Sequence, residues 1–155
     1  MRTIEEQYEL LEGLLDTAKR GGENGELDWL EFKTNIAEQK ASITYEGVGE
    51  YISGMANSAC IKYKDYAYLV LGVENASWKP VGTNLNMQSA KHGNQDYQLW
   101  LRKLVEPHIS FEFEEFEYDG AHIVIFEIPA AVGEPVTFRG EAYVRINSNL
   151  TIKPK

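Results

Sequence analysis

The sequence predicts an α/β (α+β) fold, a mixed sheet flanked by helices, in a single domain with an N-terminal helical extension. Two observations predict it: segments with helical periodicity alternate with strand-like segments, and residues 66–73 are apolar on both faces, as in a covered central strand. The length of 155 residues and the hydrophobic content of 43% are sufficient for a substantial core.

The N-terminal half is expected to contain two helices and two strands. Residues 3–20 begin with a capping box, Thr3 and Glu6, and place an apolar stripe on one helix face: Ile4, Tyr8, Leu11 and Leu15. The segment 25–33, GELDWLEFK, is expected to be the opening strand. Residues 45–60 predict a second helix despite their three glycines, and 66–73 predict the central strand.

The C-terminal half is expected to contain one helix and two hairpins. Residues 94–106 predict a helix with Asn94 as its cap and Pro107 at its end. Asp119-Gly120 is a strong two-residue hairpin turn, and Arg139-Gly140 marks a second hairpin. The apolar alternation slips at Glu114-Glu115, which predicts a β-bulge, and the run at 112–117 is expected to form an exposed acidic strand face.

The expected boundaries are an N-terminal helix at 1–22, the main domain at 23–150, and the start of a linker to a further C-terminal part at 151–155. No apolar run is long enough to span a membrane, and the N-terminus lacks a signal-peptide pattern. A single cysteine, Cys60, excludes an internal disulfide, so a cytoplasmic protein is expected. The sequence has no phosphate-loop motif, and ATP binding is not supported.

The charged residues of 25–33 are the main candidates for chemistry. Glu26 and Glu31 are five positions apart, so they converge only if Glu26 lies in the turn before the strand or a bulge intervenes, whereas Glu31 and Lys33 share a face. Two carboxylates with a lysine can hold a divalent metal and a phosphate, and oxygen ligands favour Mg²⁺ or Mn²⁺. Solvated strand and turn charges are the alternative interpretation.

Five motifs in order make the chain similar to the Schlafen AlbA-type domain, a family that includes DNA-binding domains of bacterial transcriptional regulators. The resemblance covers about residues 26–150 and rests on the following segments: LDWLEFK (27–33), YISGMANSAC (51–60), YAYLVLGVEN (66–75), VGT (81–83) and AYVRINS (142–148). It implies an α/β domain related to the Alba nucleic-acid-binding proteins. Some relatives, the animal Schlafens among them, are metal-dependent ribonucleases that act on transfer RNA.

The resemblance also assigns residues. The family's first two catalytic acids fall on Glu26 and Glu31, the third falls on Glu74 or Asn75, and Lys33 would steady the scissile phosphate. Glu26, Glu31 and Glu74 are then the expected ligands of Mg²⁺ or Mn²⁺. The sequence departs from the family at Asn75, where many members have an aspartate. The candidates for nucleic-acid binding are Lys33, Asn57 and Arg145; a helix-capping role is the alternative for Asn57, and a surface ion pair on an edge strand is the alternative for Arg145.

Three functions stay open at this point. The first is a nucleic-acid-binding module of a bacterial transcriptional regulator, with a basic surface from Lys33, Lys62, Lys64 and Arg145. The second is a metal-dependent ribonuclease acting on structured RNA. The third is a protein-interaction or dimerisation domain without chemistry, in which an exposed strand edge pairs with another copy. The net charge of −9 opposes binding to a phosphate backbone unless cations cluster locally.

Overall fold

The computed structural model of the protein describes residues 2–21, 27–36, 43–146 and 149–152. Within these ranges the chain forms three helices and ten short strands. The helices are α1 (Ile4–Gly21), α2 (Tyr45–Ile61) and α3 (Tyr97–Leu104). The strands are β1 (Leu30–Lys33), β2 (Tyr66–Leu71), β3 (Lys91–His92), β4 (Gln95–Asp96), β5 (Val105–Glu106), β6 (Glu112–Tyr118), β7 (Ala121–Pro129), β8 (Thr137–Phe138), β9 (Glu141–Ile146) and β10 (Asn149–Ile152).

The main sheet has four strands in the order β1-β2-β7-β6. Strands β1 and β2 are parallel, with Leu30 opposite Tyr68, and the other two pairs are antiparallel. Strand β2 lies inside the sheet and is apolar on both faces, which confirms the prediction of a covered central strand. The mixed α+β architecture predicted from the sequence is therefore confirmed.

Helices cover the main sheet on both faces. One core lies between α1 and the sheet, where Leu11 and Leu15 pack with Val70 and Ile125. The other core lies on the opposite face, where α2 and α3 pack on side chains such as Leu69 and Phe126. Helix α1 begins with the predicted capping box, since Thr3 and Glu6 exchange hydrogen bonds of 2.8 and 3.1 Å. The predicted extension thus shares a core with the sheet.

A second antiparallel sheet, in the order β10-β9-β8-β5, packs against α2. Two of the helix glycines explain how it approaches so closely. A Cβ atom placed on Gly49 would lie 2.1 Å from Cε1 of Phe138, and one on Gly54 would lie 2.3 Å from Cδ1 of Leu150. These glycines weaken α2 as a helix in isolation, but they let strands pack where a side chain would block them.

We expect Gly49→Ala to lower the free energy of unfolding by about 1–3 kcal/mol, because the added methyl overpacks the buried ring of Phe138. The control is Gly13→Ala in α1, where nothing lies within 4 Å of the new Cβ. That variant should be stabilised by about 0.5–1 kcal/mol through helix propensity. Urea unfolding of both variants measures the difference, and equal effects would contradict the packing role of Gly49.

Three expectations about the C-terminal half were wrong. No bulge occurs at Glu114-Glu115, because β6 pairs with β7 without a break from Glu112 to Tyr118. The 112–117 run is not simply an exposed acidic face: Glu114 is buried on the α1 side, where Arg2 and Gln7 bond its carboxylate at 3.1 and 2.9 Å. Glu115 points to the other side and accepts hydrogen bonds from the Met87 amide and from His122.

The third correction concerns the start of α3. The cap is Asp96, whose carboxylate accepts hydrogen bonds from the amides of Gln98 and Leu99, and the helix begins at Tyr97. Asn94 lies instead in the turn between the short strands β3 and β4.

Elsewhere, Cys60 is exposed. In the described part of the chain, no helix is both long and apolar enough to cross a membrane.

Candidate functional site

A cleft of about 370 Å³ opens where the parallel strands β1 and β2 end. Parallel strands deliver the side chains that follow their carboxyl ends to one edge of a sheet, and ligand sites concentrate there in open α/β sheets. The cleft combines polar and aromatic groups from distant parts of the chain. Its principal lining residues are Glu31, Lys33, Tyr51, Asn75, Trp78 and Arg145.

Arg145 forms the back of this cleft and is only 2% exposed. Its Nη2 donates to Oε1 of Glu31 at 2.8 Å, and its Nη1 donates to the carbonyl oxygens of Leu27 and Leu30 at 3.0 and 3.1 Å. The guanidinium therefore holds the turn before β1 and fixes the Glu31 carboxylate. Ser58 of α2 in turn bonds the Arg145 backbone at both its amide and its carbonyl.

This position differs from both expectations for Arg145. At Arg145, β9 pairs with β10 on one side and Ser58 of α2 bonds its backbone on the other, and the side chain is buried, so its ion pair is not a surface pair. Because the side chain is enclosed and three of its N–H directions point to protein oxygens, it cannot reach a phosphate from this conformation. Its contribution to the cleft is electrostatic and positional.

Lys33 is the cation that this cleft presents to solvent. Its Nζ lies 3.5 Å from Oε2 of Glu31, which confirms that Glu31 and Lys33 share a face, and 5.7 Å from the ring centroid of Tyr51. The Lys33 side chain is 23% exposed and that of Glu31 is 14% exposed. Since one carboxylate lies between two cations, these three side chains together carry one net positive charge.

The turn after β2 supplies the opposite wall. Asn75 and Trp78 line the cleft, and Trp78 packs edge-to-face on Phe32 with ring centroids 5.2 Å apart. Trp78 has φ of 60° and Ala76 has φ of 76°, both in the left-handed region that residues with a side chain rarely adopt. The turn therefore holds the indole against the cleft in a conformation that the isolated sequence would not favour.

The predicted catalytic and metal-binding acids do not all meet in this cleft. Glu31 lies in it. Glu74 is exposed beside it, and its carboxylate accepts a 2.7 Å hydrogen bond from the Ser77 hydroxyl. Glu26 lies outside the described residues. Asn75, the departure from the family pattern, occupies the position that lines the cleft.

The donor set offers little support for a divalent metal in the part of the chain that the structure describes. There, no group of three His, Cys, Asp or Glu side chains could hold an ion. Both oxygens of Glu31 already face cations, and the Asn75 side-chain oxygen accepts the amide of Ala76 at 3.0 Å. We therefore derive no metal-assisted step from these residues.

Asn57 does not face this cleft. It is 3% exposed, and its amide nitrogen donates to the carbonyl oxygens of Val136 and Tyr143 at 2.9 and 2.7 Å. Its side-chain oxygen accepts the Val136 amide at 2.8 Å. These three bonds join α2 to the strand region beside it, so the side chain neither caps the helix nor leaves a donor for a ligand.

Two residues of the cleft, Tyr51 and Trp78, were not predicted from the sequence as site residues. Tyr51 lies within the predicted helix 45–60, and Trp78 lies outside the motifs that carry the family resemblance. The sequence does contain one signal for Trp78. A tryptophan three residues after Asn75, in a short polar turn, is unusual and indicates a contact with the rest of the fold or with a ligand. The left-handed backbone conformation of Trp78 cannot be inferred from the sequence, because it depends on the packing of the indole against Phe32.

A sequence model of the family described as "Schlafen, AlbA_2" matches residues 26–153. The sequence has no significant match among curated proteins. The family match spans β1 through β10 and includes every element that lines the cleft except α1.

Two solved structures have a similar fold. The DIP2311 protein from Corynebacterium diphtheriae is 16% identical with a TM-score of 0.58; the alignment covers 92% of this chain but 29% of that protein. The N-terminal domain of a RecG-related protein from Nitrosomonas europaea is 20% identical with a TM-score of 0.52, over 94% of this chain and 90% of that domain. The chain thus spans less than a third of the first structure and nearly all of the second.

Proposed function

Because the chain belongs to the Schlafen AlbA_2 family, which includes nucleic-acid-binding domains, we propose that it is a nucleic-acid-binding module that contacts its ligand through the cleft at the end of β1 and β2. We further propose that the module serves a bacterial transcriptional regulator, the role that the resemblance implies. The observation that carries the first proposal is the presence of a partly exposed cation, Lys33, beside two aromatic rings in one cleft.

The chemistry of the cleft favours an unpaired strand. A phosphate can replace the Glu31 carboxylate as a partner of the Lys33 ammonium, while Tyr51 and Trp78 offer rings on which a base can stack. Asn75 adds an amide that can hydrogen-bond a base edge. A duplex would have to approach a protein of net charge −9 with few cations to neutralise it, whereas a single strand needs only a local contact.

We expect Lys33→Gln to weaken binding of single-stranded RNA or DNA by about three- to tenfold at low salt. The slope of log K against log salt should become shallower by about 0.7, the contribution of one phosphate contact on a single strand. Fluorescence anisotropy with labelled single strands, duplex DNA and transfer RNA measures both quantities. The control is Lys103→Gln, which removes the same charge from the exposed face of α3. Equal losses in the two variants would sink the cleft as the binding site.

The ribonuclease hypothesis stays a prediction, with Glu26, Glu31 and Glu74 as its acids and Mg²⁺ or Mn²⁺ as its metal. It is tested in the same samples by adding Mn²⁺ and looking for cleavage of transfer RNA that a Glu26→Ala/Glu31→Ala double variant lacks. If no nucleic acid binds, the interaction-domain hypothesis takes first place, and sedimentation of the protein alone then measures whether it forms the homodimer.

A further inference from the structure

The turn that follows α2 places a tyrosine in solvent between two lysines. Tyr63 is 95% exposed, and the neighbouring Lys62 and Lys64 are exposed as well. The turn closes the helix through backbone hydrogen bonds, from the Tyr63 amide to the Cys60 carbonyl at 3.2 Å and from the Lys64 amide to the Ala59 carbonyl at 2.8 Å. Tyr63 thus occupies the position just past the helix end.

The backbone at Tyr63 is unfavourable for this residue type. Its φ is 58°, in the left-handed region, and helices that end in this way normally place glycine there because glycine has no Cβ to clash. A ring that is almost entirely solvated adds little burial to offset that strain. Residues that hold a strained backbone conformation are found mainly at functional sites.

The two lysines are only loosely held by the protein. Nζ of Lys62 lies 4.0 Å from Oδ2 of Asp28, and Nζ of Lys64 lies over the Trp29 ring at 4.9 Å from its centroid. Asp65, also exposed, follows them. Lys64 can therefore turn towards an anionic ligand freely, while Lys62, whose side chain is 41% exposed, can meet one from its solvent side and stay near the buried carboxylate of Asp28.

We propose that the Lys62–Lys64 turn is a second nucleic-acid contact, where an unpaired base stacks on Tyr63 and the adjacent phosphates bind Lys62 and Lys64. This inference rests on the proposed function and extends it to a second surface. The lysines contact Asp28 and Trp29, just before β1, and the cleft runs beside the same segment, from Leu27 to Lys33. A four-residue strand spans about 13 Å, so one short single strand could touch both surfaces.

A single substitution separates this role from a structural one. Tyr63→Gly should raise the melting temperature by about 2–4 °C, because it removes the left-handed strain. It should also weaken binding of a fluorescein-labelled single-stranded RNA of about 16 nucleotides by at least about fivefold, the effect of losing one stacked base. Tyr63→Phe keeps the ring and should bind as the unmodified protein does. A stabilised variant that binds with unchanged affinity would overturn the inference.

The lysines provide the second test. Lys62→Gln/Lys64→Gln should make the salt slope shallower by about 1.4, the contribution of two single-strand phosphate contacts. The charge control is Lys19→Gln/Lys103→Gln on α1 and α3, and the side-chain control is Leu99→Ala, which removes an exposed apolar group. If the unmodified protein binds no nucleic acid, both proposals fail. If it binds and the Lys33 variant alone loses affinity, the cleft stands and the Tyr63 surface falls.

Discussion

Replacing Arg145 with methionine is expected to lower the free energy of unfolding by about 3–5 kcal/mol. The guanidinium is enclosed and makes three hydrogen bonds, to the Glu31 carboxylate and to the carbonyl oxygens of Leu27 and Leu30. Its loss leaves a largely buried carboxylate without its closest cation and removes a donor from both carbonyls, of which that of Leu27 keeps the Leu30 amide at 3.1 Å. Methionine fills part of the space but supplies no donor, so the loss comes mainly from unpaired polar groups.

Urea unfolding of a small set of variants measures this effect and its origin. Arg145→Lys keeps the charge but cannot reproduce the planar fork of donors, so it should recover only part of the loss. Arg139→Met, in the exposed turn between β8 and β9, removes the same side chain and should change stability by no more than about 0.5 kcal/mol. A loss below about 1 kcal/mol for Arg145→Met would show that water satisfies these groups and that Arg145 does not anchor β1.

Local signals predicted much of the fold. The capping box at Thr3 and the turn at Asp119-Gly120 depend on a few neighbouring residues, and both were identified correctly. The prediction of a β-bulge was wrong because it rested on the spacing of the apolar residues, and burial along β6 does not follow that spacing. At Glu114 a charged side chain is buried instead, since Arg2 lies within hydrogen-bonding distance. That partner comes from the far end of the chain, and nothing in the local sequence reveals it.

In the candidate site, too, contacts between sequence neighbours could be predicted and contacts between distant residues could not. The shared face of Glu31 and Lys33 follows from the alternation of a strand and could be predicted. The role of Arg145 could not, because Glu31 is 114 positions away in the chain and the contact exists only once β9 packs beside the turn before β1. Trp78 likewise reaches the cleft through a left-handed backbone that depends on tertiary packing. The motif at 142–148 marks Arg145 without revealing whether it binds a ligand or holds the fold, and Trp78 lies outside every motif.

Asn57 gives the most direct test of whether a polar residue in a motif binds a ligand or holds the fold. We expect Asn57→Asp to lower the free energy of unfolding by about 3 kcal/mol at neutral pH, although the two side chains have nearly the same shape. The amide nitrogen now donates to two carbonyl oxygens, at 2.9 and 2.7 Å. A carboxylate would place a negative charge against both, inside the protein, while keeping only the bond from the Val136 amide.

The penalty should depend on pH with a definite sign. Burial and the facing carbonyls would raise the pKa of the introduced carboxyl in the folded state above its unfolded value of about 3.9. Stability is then lost as the pH rises through the folded pKa and regained as it falls. Comparing urea unfolding near pH 4 and pH 7 with that of Asn86→Asp, an exposed asparagine that uses only its acceptor, isolates the effect. A pH-independent loss would mean that the two carbonyls are not the cause, and an unchanged stability would return Asn57 to the candidates for ligand binding.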